Sequence, residues 1–169
     1  MARSGWKLLS VAVLGLGVAL PAVTACVAHA ANPPLNADTV PTVSDALMRQ
    51  GMEALERSET DKAILLLEQS VTAYPRNAKA FGRLGKAHET AGDPETARKY
   101  YEISLSIDPD NIEVLLWDGL AALEADDGEA ARERLERLQR VCNSRCAEFR
   151  TLSTAVSAKE AGAEAPAEP

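Results

Sequence analysis

Hydrophobic positions follow two patterns along this chain. From Leu8 to Leu20 the run LLSVAVLGLGVAL carries no charge and presents no polar face. From Ser44 to Arg145 the apolar residues recur at helical spacing, interrupted by short turns rich in Gly, Asp, Asn and Pro. Ala97, Tyr100, Tyr101, Ser104, Leu105 and Ile107 mark the buried stripe of one such helix. Phe149, Leu152 and Val156 stand at i, i+3 and i+7, which predicts a last helix over residues 146–158. The pattern predicts an all-α fold.

The helical region repeats itself. Gly51, Gly85 and Gly119 are spaced by 34 residues, and so are Ala63, Ala97 and Ala131. Leu67, Tyr101 and Leu135 keep the same phase, as do Pro75 and Pro109 (Asn143 takes the third place) and the pair Asn77 and Asn111. These spacings divide the chain into units 44–77, 78–111 and 112–145. In the middle unit, Phe81, Leu84-Gly85, His88, the Gly92-Asp93 turn, Ala97, Tyr101 and Pro109 resemble the tetratricopeptide repeat. The first unit departs from that pattern at Gln50, and the third at Asp118 and Asn143. The resemblance implies an α-solenoid of three helix hairpins, each an A helix followed by a B helix, closed by the helix at 146–158. It also places the Gly and Ala of each unit where the two helix backbones approach most closely, so that a larger side chain would clash. Gly92 suits the end of an A helix, Asp93 a cap and Pro94 the first helical position. Asn77 and Asn111 suit caps of the A helices that follow them. One hairpin cannot bury its apolar side alone, so neighbouring units must stack.

The flanks read differently. Arg3 and Lys7 precede the uncharged run and Pro21 ends it, the form of a secretory signal over residues 1–25. Val23-Thr24-Ala25-Cys26 resembles the lipobox of bacterial lipoproteins, which implies acylation of Cys26 and sorting to the outer membrane, since Val27 is not Asp. Ala28-His29-Ala30 offers the alternative of ordinary cleavage and a soluble periplasmic product. Residues 26–42 read as a flexible tether, the domain as 43–158, and the Ala/Glu/Pro-rich residues 159–169 as a disordered tail.

Charge and chemistry narrow the function. The chain of 169 residues has net charge −7, and without Arg3 and Lys7 it carries 16 basic against 25 acidic residues, or −9. Such acidity argues against nucleic-acid binding. Of the two histidines, His29 lies in the flank and His88 takes a packing position of the repeat. No phosphate loop, G-x-S-x-G or H-E-x-x-H is present, so no catalytic residue, metal ligand or cofactor is assigned. Cys142 and Cys146 flank Asn143-Ser144-Arg145 and are read as a disulfide; two free thiols or a redox pair, hence a thiol oxidoreductase, are the alternatives. In the resembled family the A helices line a groove for peptides. Arg49, Arg83 and Trp117 occupy equivalent places in the three units, and Lys79, Arg83 and Lys86 share one face of the middle A helix. With Met52 and Leu120 they form the candidate peptide groove, suited to a carboxylate or an acidic segment. The expected function is a non-catalytic interaction module for a protein partner of the bacterial envelope; a pilotin-like assembly factor for pili or secretion channels is a narrower form of it.

Overall fold

The structure, a computed structural model, describes residues 39–164. Within them the chain forms seven helices and no strand: α1 (Thr39–Glu56), α2 (Thr60–Ala73), α3 (Ala78–Thr90), α4 (Pro94–Ile107), α5 (Ile112–Glu124), α6 (Gly128–Cys142) and α7 (Ala147–Glu164). Helices α1, α3 and α5 are the A helices; α2, α4 and α6 are the B helices. The expected signal, Cys26, the expected tether up to residue 38 and residues 165–169 lie outside the described residues.

Short-range chemistry places the helix boundaries. Asn77, Asp93, Asn111 and Asp127 are N-caps whose side chains accept from Ala80, Thr96, Val114 and Ala130 backbone N–H groups. Each cap satisfies a donor that a helix start leaves without a partner. Glu59, ahead of α2, makes no side-chain cap bond. The A–B turn is built alike in every unit. Ser58, Gly92 and Asp126, again 34 residues apart, take φ of 60°, 82° and 59°. The next residue then donates back across the helix end: Glu59 to Ala54, Asp93 to His88 and Asp127 to Ala122, at 2.9, 2.9 and 2.8 Å. Only the middle unit spends a glycine on this left-handed step.

Side-chain size sets the crossings. A Cβ on Gly51 would lie 2.7 Å from Leu67 Cγ and 3.3 Å from the Ala63 carbonyl oxygen. On Gly85 it would lie 2.5 Å from Tyr101 Cε1 and 2.9 Å from the Ala97 carbonyl oxygen. Gly119 differs, because its nearest neighbour is Leu152 of α7, at 2.6 Å. Ala63, Ala97 and Ala131 are fully buried, while Pro75 and Pro109 are exposed in the B–A turns. The B-helix serines close the other end of each hairpin. Ser70 Oγ donates to the Ser44 carbonyl at 2.8 Å, and Ser104 Oγ to the Ala78 carbonyl at 2.7 Å. Leu138 takes the third such place, buried among Leu115, Leu123, Leu152 and Val156.

Two boundaries differ from the sequence expectation. Residues 39–42, read as tether, are the first turn of α1. Pro41 fits there because the first-turn N–H groups have no helical acceptor to lose. Residues 159–164, read as disordered tail, continue α7. Ala and Glu are good helix formers, and two contacts hold this end: Lys159 Nζ pairs with Asp126, and Arg132 Nε meets Glu160 at 2.8 Å.

Candidate functional site

The A-helix face holds most of the predicted groove residues, but it uses several of them internally. Arg83 Nη2 bonds Glu113 Oε2 at 2.9 Å, and its guanidinium lies 4.9 Å over the Trp117 ring. Arg83 thereby ties α3 to α5, and Trp117 also packs 6.1 Å from the Tyr101 ring. Lys86 Nζ pairs with Glu89 Oε1, while the Tyr101 hydroxyl donates to Glu89 Oε2 at 2.6 Å. Burial first, and the bond to Glu89 second, push the Tyr101 phenol up, so it stays a protonated donor. Arg49 on α1 and Lys79 on α3 are exposed and have no ion pair among the described residues. Met52 is half-buried on α1. Leu120 is half-buried and packs, like Leu116 and Phe149, against the cluster that includes Leu152 and Val156, so α7 covers part of it. A sequence pattern that assigns one face to every A helix cannot foresee that cover, because α7 belongs to no repeat.

The third unit hides a charge. Asp118, at the place of the repeat's leucine, is 2% exposed, and Arg134 Nε donates to its Oδ2 at 2.7 Å. Asp118 Oδ1 is buried without a partner. Arg134 is held in its charged form by this carboxylate against the cost of its own burial. The departure at Asp118 was visible in sequence; its partner sixteen residues away on α6 was not. Gly82 was missed too, although a Cβ there would stand 2.5 Å from Val114 Cγ2. The spacing of Ser70 and Ser104 was the available signal for the serine bonds.

His88 packs its ring on Tyr100, with centroids 5.3 Å apart, and its Nε2 is buried without a partner. Cys142 and Cys146 are disulfide-bonded, Cα to Cα 5.8 Å, across the turn where Asn143 and Ser144 both take positive φ. The bond sits between α6 and α7, so it fixes the approach of the helix that fills the space over Gly119. Among the described residues, no group of three or more His, Cys, Asp or Glu side chains could hold a metal ion, and no helix is long and apolar enough to cross a membrane.

Comparison with known proteins agrees with the geometry. Residues 48–112 match the tetratricopeptide repeat family. The cellulose synthase operon protein C of Escherichia coli K12 is 29% identical over 109 residues, covering 56% of this chain; the match spans only 9% of that relative's length. The crystal structure of the Sgt2 TPR domain from Aspergillus fumigatus superposes with TM-score 0.63 at 26% identity, covering 75% of this chain and 87% of that one. The Yersinia enterocolitica type III secretion chaperone SycD, in complex with a peptide of the translocator YopD, superposes with TM-score 0.60 at 17% identity, covering 75% and 93%. The 34-residue period, the glycine crossings and the helix pairs therefore have one explanation: this chain carries tetratricopeptide repeats and their fold.

Proposed function

We propose that this protein is a non-catalytic adaptor that holds a peptide segment of a partner protein against its A helices, on the bacterial cell envelope. One observation carries the reading. Arg49 and Lys79 are exposed on adjacent A helices and make no ion pair among the described residues, while Met52 and Trp117 of the A helices are half-buried. An unpaired cation near apolar surface suits a carboxylate-bearing, partly apolar segment. The peptide complex of SycD supports a peptide as the class of ligand for such a fold. The charged start, the uncharged run and the Val23-Thr24-Ala25-Cys26 box support export and lipid attachment.

Reversing Arg83 or Lys86 would also break internal pairs, so the clean variant is Arg49→Glu/Lys79→Glu. Affinity capture from crosslinked bacterial envelopes, followed by peptide identification, is expected to recover a defined partner with the wild type and not with this variant. Equal recovery by both refutes the groove. Mass spectrometry of the mature N-terminus decides the anchor: a diacylated Cys26 supports it, and an N-terminus at Ala31 refutes it.

A further inference from the structure

A cavity of about 650 Å³ lies between the start of α4 and the end of α5. That is ample for a long side chain and its neighbours. Its floor is small and apolar, formed by Pro94, Ala121 and Ala125. Four charged side chains of α4 and one of α5 line the rest, and their pairing decides its character. Lys99 Nζ is taken by Glu95 at 2.8 Å. Arg98 Nη2 is taken by Asp127 at 3.1 Å. Both cations of the lining are thus neutralised, whereas Glu102 and Glu124 are exposed and have no ion pair among the described residues. The lining carries three carboxylates against two cations, an excess of one negative charge over an apolar floor, and its two unpaired groups are both carboxylates. Past Glu102 lies a second hollow of about 250 Å³ lined by Leu105 and Leu115 and by Arg134, Arg137 and Arg140, which pair with Asp118, Asp110 and Glu136.

We propose that this cavity is a second docking site, and that its occupant is a basic segment of a partner protein. A lysine or arginine side chain enters with its aliphatic stem on Ala121 and Ala125 and its charged head at Glu102 and Glu124, and an adjoining apolar residue rests on Leu105. An anionic ligand is disfavoured because both cations of the lining already pair with carboxylates, and the one donor left without a partner, Arg98 Nε, is buried. An uncharged apolar ligand would leave the two carboxylates to be desolvated without compensation. The site reads the opposite charge from the A-helix face, so the two proposals stand or fall separately.

Fluorescence anisotropy on the full chain tests it, with a labelled peptide of alternating lysine and leucine as probe. Binding is expected to weaken about tenfold in Glu102→Gln/Glu124→Gln, the scale of losing two partly exposed ion pairs. It is expected to persist in Arg49→Glu/Lys79→Glu and in a remote neutralisation, Glu53→Gln/Glu56→Gln. Equal weakening by the remote pair would mean general attraction to an acidic protein and overturns the site. So does equal binding of a peptide in which glutamate replaces lysine. Displacement of the probe by free butylammonium at the same concentration overturns the peptide as occupant. Circular dichroism checks that every variant keeps its helices.

Discussion

Replacing Gly85 by alanine tests the packing of the repeats directly. The new methyl carbon would stand 2.5 and 2.6 Å from two ring carbons of Tyr101 and 2.9 Å from the Ala97 carbonyl oxygen. Carbon atoms rest about 3.5–4 Å apart, so α3 and α4 must separate by up to about 1 Å or the ring must turn. Tyr101 has little freedom to turn, because it is fully buried and its hydroxyl bonds Glu89 at 2.6 Å. The carbonyl belongs to the backbone and moves only with α4. Overpacking of this kind costs about 1–3 kcal/mol, and the upper part of that range applies here. Alanine regains up to about 1 kcal/mol over glycine in helix propensity. The net expectation is a loss of about 2 kcal/mol, read as a fall in Tm of roughly 5–10 °C. Thermal and urea unfolding followed by circular dichroism measure it. Gly119→Ala provides the internal comparison, since it meets the methyl ends of Leu152 and, at 3.4 Å, Arg134 Cβ rather than a ring and a backbone carbonyl; its cost is expected to be smaller. Gly162→Ala meets nothing within 4 Å and is expected to be neutral or slightly stabilising. A Gly85→Ala protein as stable as the wild type, or less affected than Gly119→Ala, would refute the tight A–B crossing.

Other consequences are open to measurement. Arg134→Leu leaves Asp118 as a buried carboxylate without a partner and is expected to cost about 3–5 kcal/mol, while Asp118→Leu/Arg134→Leu is expected to recover most of it; a double variant no better than the single would refute the pairing. Reduction of the disulfide closes a loop of few residues less tightly, so a loss of about 2 kcal/mol or less is expected, with faster amide exchange in α7 and none of that change in α1 and α2. Uniform acceleration across all helices would show that the bond does not act locally. Hydrogen bonds from Thr96 hold the Asp93 carboxyl below its usual value, and the Ala130 N–H and then Arg98 do the same for Asp127. A lowered folded-state pKa gives stability that is present above the unfolded value near pH ~4 and is lost as pH falls through the folded value. The urea midpoint is therefore expected to drop below about pH 4, and less steeply in Asp93→Asn/Asp127→Asn; parallel curves would exclude these caps as a source of acid sensitivity.

Much of this architecture was legible because local rules and the global repeat agree. Asn77, Asp93 and Asn111 announce helix starts through side chains that reach only three residues ahead. Gly51 and Gly85 recur because two backbones cross there, so a period in the sequence reports a period in space. What escaped was decided across helices. Lys86 and Glu89 are a local i,i+3 pair, but nothing near them indicates that Tyr101 of α4 also donates to Glu89. Nothing near Leu120 indicates that α7 will lie over it. The left-handed step at Ser58 and Asp126 was hidden for another reason: the turn's hydrogen bonds hold two residues without glycine's freedom in a conformation that one unit fills with Gly92. The extension of α7 depended on two ion pairs to residues more than twenty-five positions upstream.

Helix α7 has a consequence for assembly. It presents Leu152 and Val156 inward, and Arg150, Thr151, Thr154, Ser157 and Lys159 outward. Its inner side satisfies the apolar demand of the last hairpin, and its outer side creates no new demand. A hairpin array with a sticky end can grow into filaments by adding copies end to end. Here the polar outer side of α7 offers no apolar surface for another copy to stack on.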